Sequence, residues 1–240
     1  MKFVLDTHTH SIASGHAYST IYEMVHAARE KGLELLGISE HAPKMPGTCN
    51  EIYFSNLKIF PKVLEGVELL FGVEANITDY QGKIDISGET LGKLHYGIAS
   101  MHTPCITPGS CKENTQAYLR VMENPGIHVI GHPDDSRFPV DYKELVKGAK
   151  ETNTLLELNN TSLSPTSFRA NAKENYREML GLCASENVPI ILNSDAHVGF
   201  DVGNFSYAEA LLQEVDFPEE LIANTSVEKY KQLIRRKNHE

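Results

Sequence analysis

Apolar positions along the chain follow two alternating rhythms. Short runs that are apolar at nearly every position occupy residues 3–5, 35–39, 69–74, 96–100, 128–131, 154–158 and 189–193. Runs such as Leu35-Leu36-Gly37-Ile38 and Pro189-Ile190-Ile191-Leu192 are apolar on both parities, which predicts strands covered on both faces. Between them lie segments with helical spacing. Residues 20–31 carry Ile21, Met24, Val25 and Ala28 on one face and stop at Gly32. Residues 53–64 predict a helix despite Pro61, and 114–123 a helix ended by Asn124-Pro125-Gly126. Residues 141–152 open on an aspartate, which suits a helix N-terminus. A long helix is predicted over 169–186, and two more over 206–215 and 226–236.

Strands that alternate with helices imply a parallel sheet. Seven strands with no clear eighth predict a somewhat irregular (β/α)7 barrel; an open doubly wound sheet is the alternative. No G-x-G-x-x-G follows a strand, which counts against a dinucleotide site. The 240 residues, 41% hydrophobic, suffice for one sizeable core, so a single domain over 1–240 is expected.

Composition narrows the function. No stretch approaches the apolar length of a membrane span. The N-terminus enters a strand directly, which predicts no signal peptide. Cys49, Cys105, Cys111 and Cys183 lack C-x-x-C spacing and read as reduced thiols of a cytoplasmic protein. A net charge of −10 and a pI of about 5.6 argue against stable nucleic-acid or anionic-membrane binding. They leave room for an anionic substrate if the site brings its own cations.

The eleven histidines bring those cations into view. In a strand, residues i and i+2 face the same way, so His8 and His10 aim two imidazoles at one point. His16 follows in the next loop. The other predicted strands end in Glu40-His41, Glu74, His102, His132, Asn159-Asn160 and Asp195-Ala196-His197. In a parallel barrel the C-terminal strand ends gather at one mouth, where active sites are built. The candidate metal ligands are therefore His8, His10, His16, His41, Glu74, His102, His132, Asp195 and His197. One zinc takes about four ligands, so this set fits two or three ions. Its imidazoles favour zinc, manganese or iron over magnesium or calcium.

His26, His95, His128 and His239 fall elsewhere and read as surface or packing residues. Glu40 and Glu157 could each orient an imidazole or be plain strand-end carboxylates; the plain reading is preferred for Glu40. Asn159 and Asn160 are candidate site-lining amides, and Arg137 is a candidate phosphate ligand or a solvated loop arginine. The outer wall of the pocket is expected from loops 43–50, 103–111 and 161–171.

Six ordered motifs now define a resemblance: Asp6-Thr-His8-Thr-His10, Ser39-Glu-His41, Gly72-Val-Glu74-Ala-Asn76, Met101-His102, Gly131-His132-Pro133 and Asn193-Ser-Asp195-Ala-His197. Together they resemble the PHP (polymerase and histidinol phosphatase) superfamily, and residues 17–20 and 72–77 are most similar to its small stand-alone bacterial phosphatases. The resemblance implies a distorted, seven-stranded (β/α)7 barrel and a trinuclear, usually zinc, centre. Carried over by motif, it implies that His8, His10, Glu74 and Asp195 hold one ion, that Glu74 bridges to a second held by His102 and His132, and that His16, His41 and His197 hold the third. It also implies a small homo-oligomer, a trimer by that resemblance. The activity expected is metal-dependent phosphomonoester hydrolysis by a metal-bridging hydroxide, with Glu74, Asp195 and His102 central and a small phosphorylated metabolite as substrate. Three divalent ions less two carboxylates and a hydroxide leave such a site roughly +3, enough to draw in a phosphate dianion. A histidinol-phosphate phosphatase and a phosphodiesterase or exonuclease are alternatives, the latter weakened by the lack of a basic stripe. A non-catalytic structural module is a further one, but no motif ligand is missing.

Overall fold

The computed structural model describes residues 1–237. Its strands are β1 (Leu5–Asp6), β2 (Leu35–Ile38), β3 (Val63–Leu64), β4 (Val67–Asn76), β5 (Tyr96–Ser100), β6 (Val129–Ile130), β7 (Leu155–Asn159) and β8 (Ile190–Asn193). All but β3 pair in parallel, in the order β1-β2-β4-β5-β6-β7-β8. A parallel bridge from Thr9 to Ala196 brings the first and last of them together. The result is a nearly closed barrel of seven parallel strands, the irregular barrel that the alternation predicts rather than the open sheet.

The seam between β1 and β8 is completed by the segment before the last helix. Val4 N donates to Asn224 O at 2.9 Å. The buried Asn224 amide donates to Leu5 O (2.9 Å) and Leu192 O (2.7 Å) and accepts from Leu192 N (2.8 Å). One side chain thus satisfies backbone groups that a missing strand would otherwise pair.

Helices α1 (Ile21–Glu30), α2 (Glu51–Asn56), α3 (Gly88–Leu91), α4 (Cys111–Met122), α5 (Tyr142–Glu151), α6 (Ala172–Glu186), α7 (Ser206–Glu214) and α8 (Val227–Arg236) accompany the strands. Helix α1 buries Ile21, Met24, Val25 and Ala28, the face its spacing predicts, and starts on a Thr20–Glu23 capping box. None of the helices among the described residues is long and apolar enough to cross a membrane.

The predicted helix over 53–64 is corrected. Helix α2 and a 3₁₀ turn end at Ile59, ahead of Pro61, whose ring cannot donate to a helical ladder. The chain then forms β3, antiparallel to β4 through Glu65 and Gly66, both at positive φ, as a tight hairpin requires. Helix α6 likewise begins at Ala172 and not at residue 169, because Asn171 sits at φ 59°.

Tyr96 plugs the barrel interior among Leu5, Leu35, Leu70 and Ile98, and its hydroxyl donates to Thr7 O at 2.6 Å. Gly72 makes the space: a Cβ there would lie 2.6 Å from the Tyr96 ring. Above this plug the strands open onto the mouth.

Candidate metal centre

The structure brings all nine candidate side chains to that mouth. Glu74, near the end of the long strand β4, is at the centre and fully buried. Its Oε1 lies 3.4 Å from His8 Nε2, 3.3 Å from His102 Nε2 and 2.9 Å from His132 Nε2. Its Oε2 lies 3.6 Å from His10 Nε2 and 2.6 Å from His41 Nδ1. Asp195 Oδ1 sits 3.6 Å from His8 Nε2, 3.4 Å from His10 Nε2 and 3.7 Å from His197 Nδ1. His16 Nε2 extends the group outward, 3.3 Å from His41 Nε2 and 3.1 Å from His197 Nε2. His132 and Asp195 both take positive φ (30° and 57°), a strained backbone that places their side chains.

Four imidazoles are tethered through Nδ1. His8 Nδ1 donates to Glu157 at 2.7 Å, and His102 Nδ1 to Asn76 Oδ1 at 2.7 Å. His197 Nδ1 donates to Asp195 O at 2.9 Å. His10 Nδ1 meets Ser14 Oγ at 3.1 Å, and that hydroxyl gives its own proton to Glu40 at 2.6 Å. A donor bond at Nδ1 fixes the ring and turns Nε2 towards the cluster, the arrangement found behind metal-binding histidines.

Electrostatics run the same way. Burial alone would push the Glu74 carboxyl up, but the imidazoles of His102, His41 and His8 outweigh it and hold it well below its ordinary range. Burial is likewise outweighed at Asp195, chiefly by His8 and His10. Burial, helped by His41 and His197, pushes His10 well below its usual value and lowers His16 too. Burial also lowers His102 against the pull of Glu74. His8 is opposite: the carboxylates of Glu157, Glu74 and Asp195 overcome burial and raise it.

These residues fit divalent metal. His8 Nε2, His10 Nε2, His41 Nδ1 and Glu74 Oε2 are buried with no hydrogen-bond partner, a cost that protein interiors normally avoid. Two donors each about 2.05 Å from a tetrahedral ion stand about 3.3 Å apart, and most of the separations above are close to that. Three sub-clusters place their ligand atoms within 4.8 Å of one another: His8, His10 and Glu74; His41, Glu74 and His102; and His10, His41 and His197.

The mouth is a cavity of about 440 Å³ whose lining includes His16, His41, His102, His197, Arg137, Phe168 and Arg169. Several sequence readings change here. Asn159 does not line the cavity; it is fully buried and its amide holds Glu157 Oε2 (3.2 Å) and Asp195 Oδ2 (3.1 Å). Arg137 reaches the rim, but its guanidinium fork is filled by Asp135, with Nε at 3.0 Å from Oδ1 and Nη2 at 2.6 Å from Oδ2. Glu40 is no plain strand-end carboxylate, since Ser11, Ser14 and Tyr53 all donate to it. Glu157 takes the orienting role left open for it. His26 and His95 are exposed and His128 packs below Gly97, while His239 lies outside the described residues.

Sequence reasoning missed Arg169. Helical spacing puts it at a helix start, yet it is a buried guanidinium in the cavity wall, donating to Ser162 Oγ at 3.0 Å and lying 3.6 Å from Asp195 Oδ2. The only signal for it was its place in the 161–171 loop after β7. Asn76, the anchor of His102, was visible as a strand-end amide without a role.

Comparison with known proteins places this geometry. The PHP domain family model matches residues 6–235. A probable phosphatase of Acetivibrio thermocellus is 46% identical over 237 residues, covering 99% of this chain and 97% of the relative. A probable phosphatase of Clostridium novyi is 46% identical over 229 residues, covering 95% and 93%. Among solved structures, the histidinol phosphate phosphatase of Lactococcus lactis, complexed with zinc, L-histidinol and phosphate, is similar in fold, with a TM-score of 0.62, 17% identity, and coverage of 89% of this chain and 94% of that one.

Proposed function

The chain belongs to the PHP domain family, and from that premise we propose that it is a metal-dependent phosphatase acting on phosphomonoesters. One observation carries the reading. Seven imidazoles and two carboxylates converge on one cavity, and several of their buried ligand atoms make no hydrogen bond. The relatives named probable phosphatases, matched over nearly their whole length, support the same reaction class.

In this reading His8, His10, Glu74 and Asp195 hold one ion; Glu74, His102 and His132 a second; and His16, His41 and His197 a third. Zinc is favoured by the nitrogen-rich donor set. Divalent ions in these positions supply positive charge to phosphoryl oxygens and acidify water into the neutral range.

The chain's own residues do the rest. Glu157, Asn76 and Ser14 keep three of the imidazoles aimed, so the site does not reorganise as charge develops. Asn159 and Arg169 hold Asp195 Oδ2, leaving Oδ1 to face the imidazoles. Arg169 is a fixed guanidinium beside the cluster, suited to two phosphoryl oxygens once the carboxylate next to it is neutralised. The apolar plug around Tyr96 closes the barrel below the cluster.

The test is metal content together with hydrolysis in one preparation. Metal-replete protein is expected to hold about three equivalents of ion and to release phosphate from a generic phosphomonoester. Chelation abolishes the activity and added zinc or manganese restores it. Undiminished turnover after chelation, or Asp195→Ala and His102→Ala variants as active as the parent, overturns the proposal.

A further inference from the structure

The mouth has a second wall that phosphate chemistry does not require. Phe168 stands on it with 70% of its surface exposed, although a large apolar side chain gains nothing by facing water. Two guanidinium groups lie against the ring, Arg137 at 4.7 Å and Arg169 at 5.3 Å from its centroid. Asp135 occupies the hydrogen-bonding edge of Arg137, so this arginine is locked flat rather than free to seize an anion. Met45, Met101 and Pro104 line the same cavity, which exceeds the needs of a phosphate group alone.

We propose that Phe168, braced by Arg137, is the platform on which the leaving group stacks, and that the preferred substrates are phosphomonoesters whose alcohol carries a planar aromatic ring. A ligand ring meets either the phenyl face or the guanidinium plane leaning on it, and both surfaces stack. The inference rests on the phosphatase reading and adds the part of the substrate that reading leaves open.

A matched pair of esters tests it, because adenosine 5′-monophosphate and ribose 5-phosphate share the phosphoester and differ by the base. The metal-replete protein is expected to favour the nucleotide in kcat/KM by about 5- to 160-fold, the range base–aromatic stacking supplies. Phe168→Ala brings the ratio near one by raising KM for the nucleotide at unchanged kcat, and Phe168→Tyr restores it. Histidinol phosphate is the small-ring arm: a shared advantage assigns the platform to any flat ring, and its absence restricts it to the larger base. The chain contains no tryptophan, so Phe168→Trp introduces a unique indole that can be excited apart from the ten tyrosines. Adenosine 5′-monophosphate should quench it and ribose 5-phosphate should not, with or without turnover. Equal kcat/KM for the pair in the parent protein, or an equal loss for both esters in Phe168→Ala, overturns the platform. Hydrolysis of none of the esters overturns the phosphatase reading, and quenching in that same sample would still support the platform.

Discussion

Glu157→Gln is the sharpest probe of the layer behind the cluster. Glu157 Oε1 accepts from His8 Nδ1 (2.7 Å) and Asn193 Nδ2 (2.8 Å), and Oε2 from His132 N (2.7 Å) and Asn159 Nδ2 (3.2 Å). Burial pushes this carboxyl up, but the charge on His8 outweighs it and keeps it ionised. A glutamine fits the space and fails the chemistry, because its NH₂ must face two donors in either orientation. When the amide faces His8, the imidazole can accept only by moving its proton to Nε2, which closes the atom aimed at the cluster. Losing such a supporting partner costs about 10- to 100-fold in metal affinity. By linkage, that removes about 1.4 to 2.7 kcal/mol of metal-dependent stabilisation at saturating ion. Competition against a chromophoric chelator reads the affinity, and thermal melts with and without zinc read the stabilisation. A variant that keeps zinc within twofold of the parent, with an unchanged metal-dependent shift in Tm, refutes the argument.

Three other outcomes are expected. Arg169→Met should lower kcat/KM on phosphomonoesters by about 10- to 100-fold with metal content retained, measured by initial rates and elemental analysis; parent-like kinetics would remove Arg169 from substrate handling. The metal-free protein should lose stability as pH falls below the ordinary histidine value of about 6.5: burial keeps His10, His16 and His102 from taking protons that the unfolded chain accepts, and these outnumber the opposite contributions of His8 and of Asp6, whose carboxyl burial pushes up to about 6. Urea midpoints at pH 7.5 and 5.5 check this, and an unchanged or higher midpoint at the lower pH contradicts it. Gly72→Ala places a methyl 2.6 Å from the Tyr96 ring and should cost about 1–3 kcal/mol by chemical denaturation.

How much of this was legible in the sequence depends on the range over which each feature is encoded. The strand-end histidines could be read because H-x-H spacing and the polarity of parallel strands are local rules, and the barrel mouth then gathers them without further information. Asn76, Ser14 and Glu40 were not legible as anchors, since each acts on a side chain delivered by another segment and needs the register between strands to be known. Arg169 was hidden by the left-handed Asn171, which stops α6 short and leaves the arginine in the loop. Asn159 was misplaced because a strand-end amide looks the same whether it faces the cavity or the carboxylates beneath. The β3 hairpin is masked by apolar spacing over 53–64 that suits a helix everywhere except at Pro61.

The seam joined by Asn224 has a consequence for biogenesis. Imidazoles of His8 and His10 face a carboxylate and an imidazole from beyond residue 194, and the backbone of Val4, Leu5 and Leu192 beneath them is joined through Asn224. A nascent chain therefore cannot close the ring beneath the mouth while residue 224 is still inside the ribosome. An ion can then be held by the complete ligand set only after residue 224 has joined the ring, and a translation product stalled between residues 197 and 222 would carry every ligand yet lack the closed ring that points them at one another.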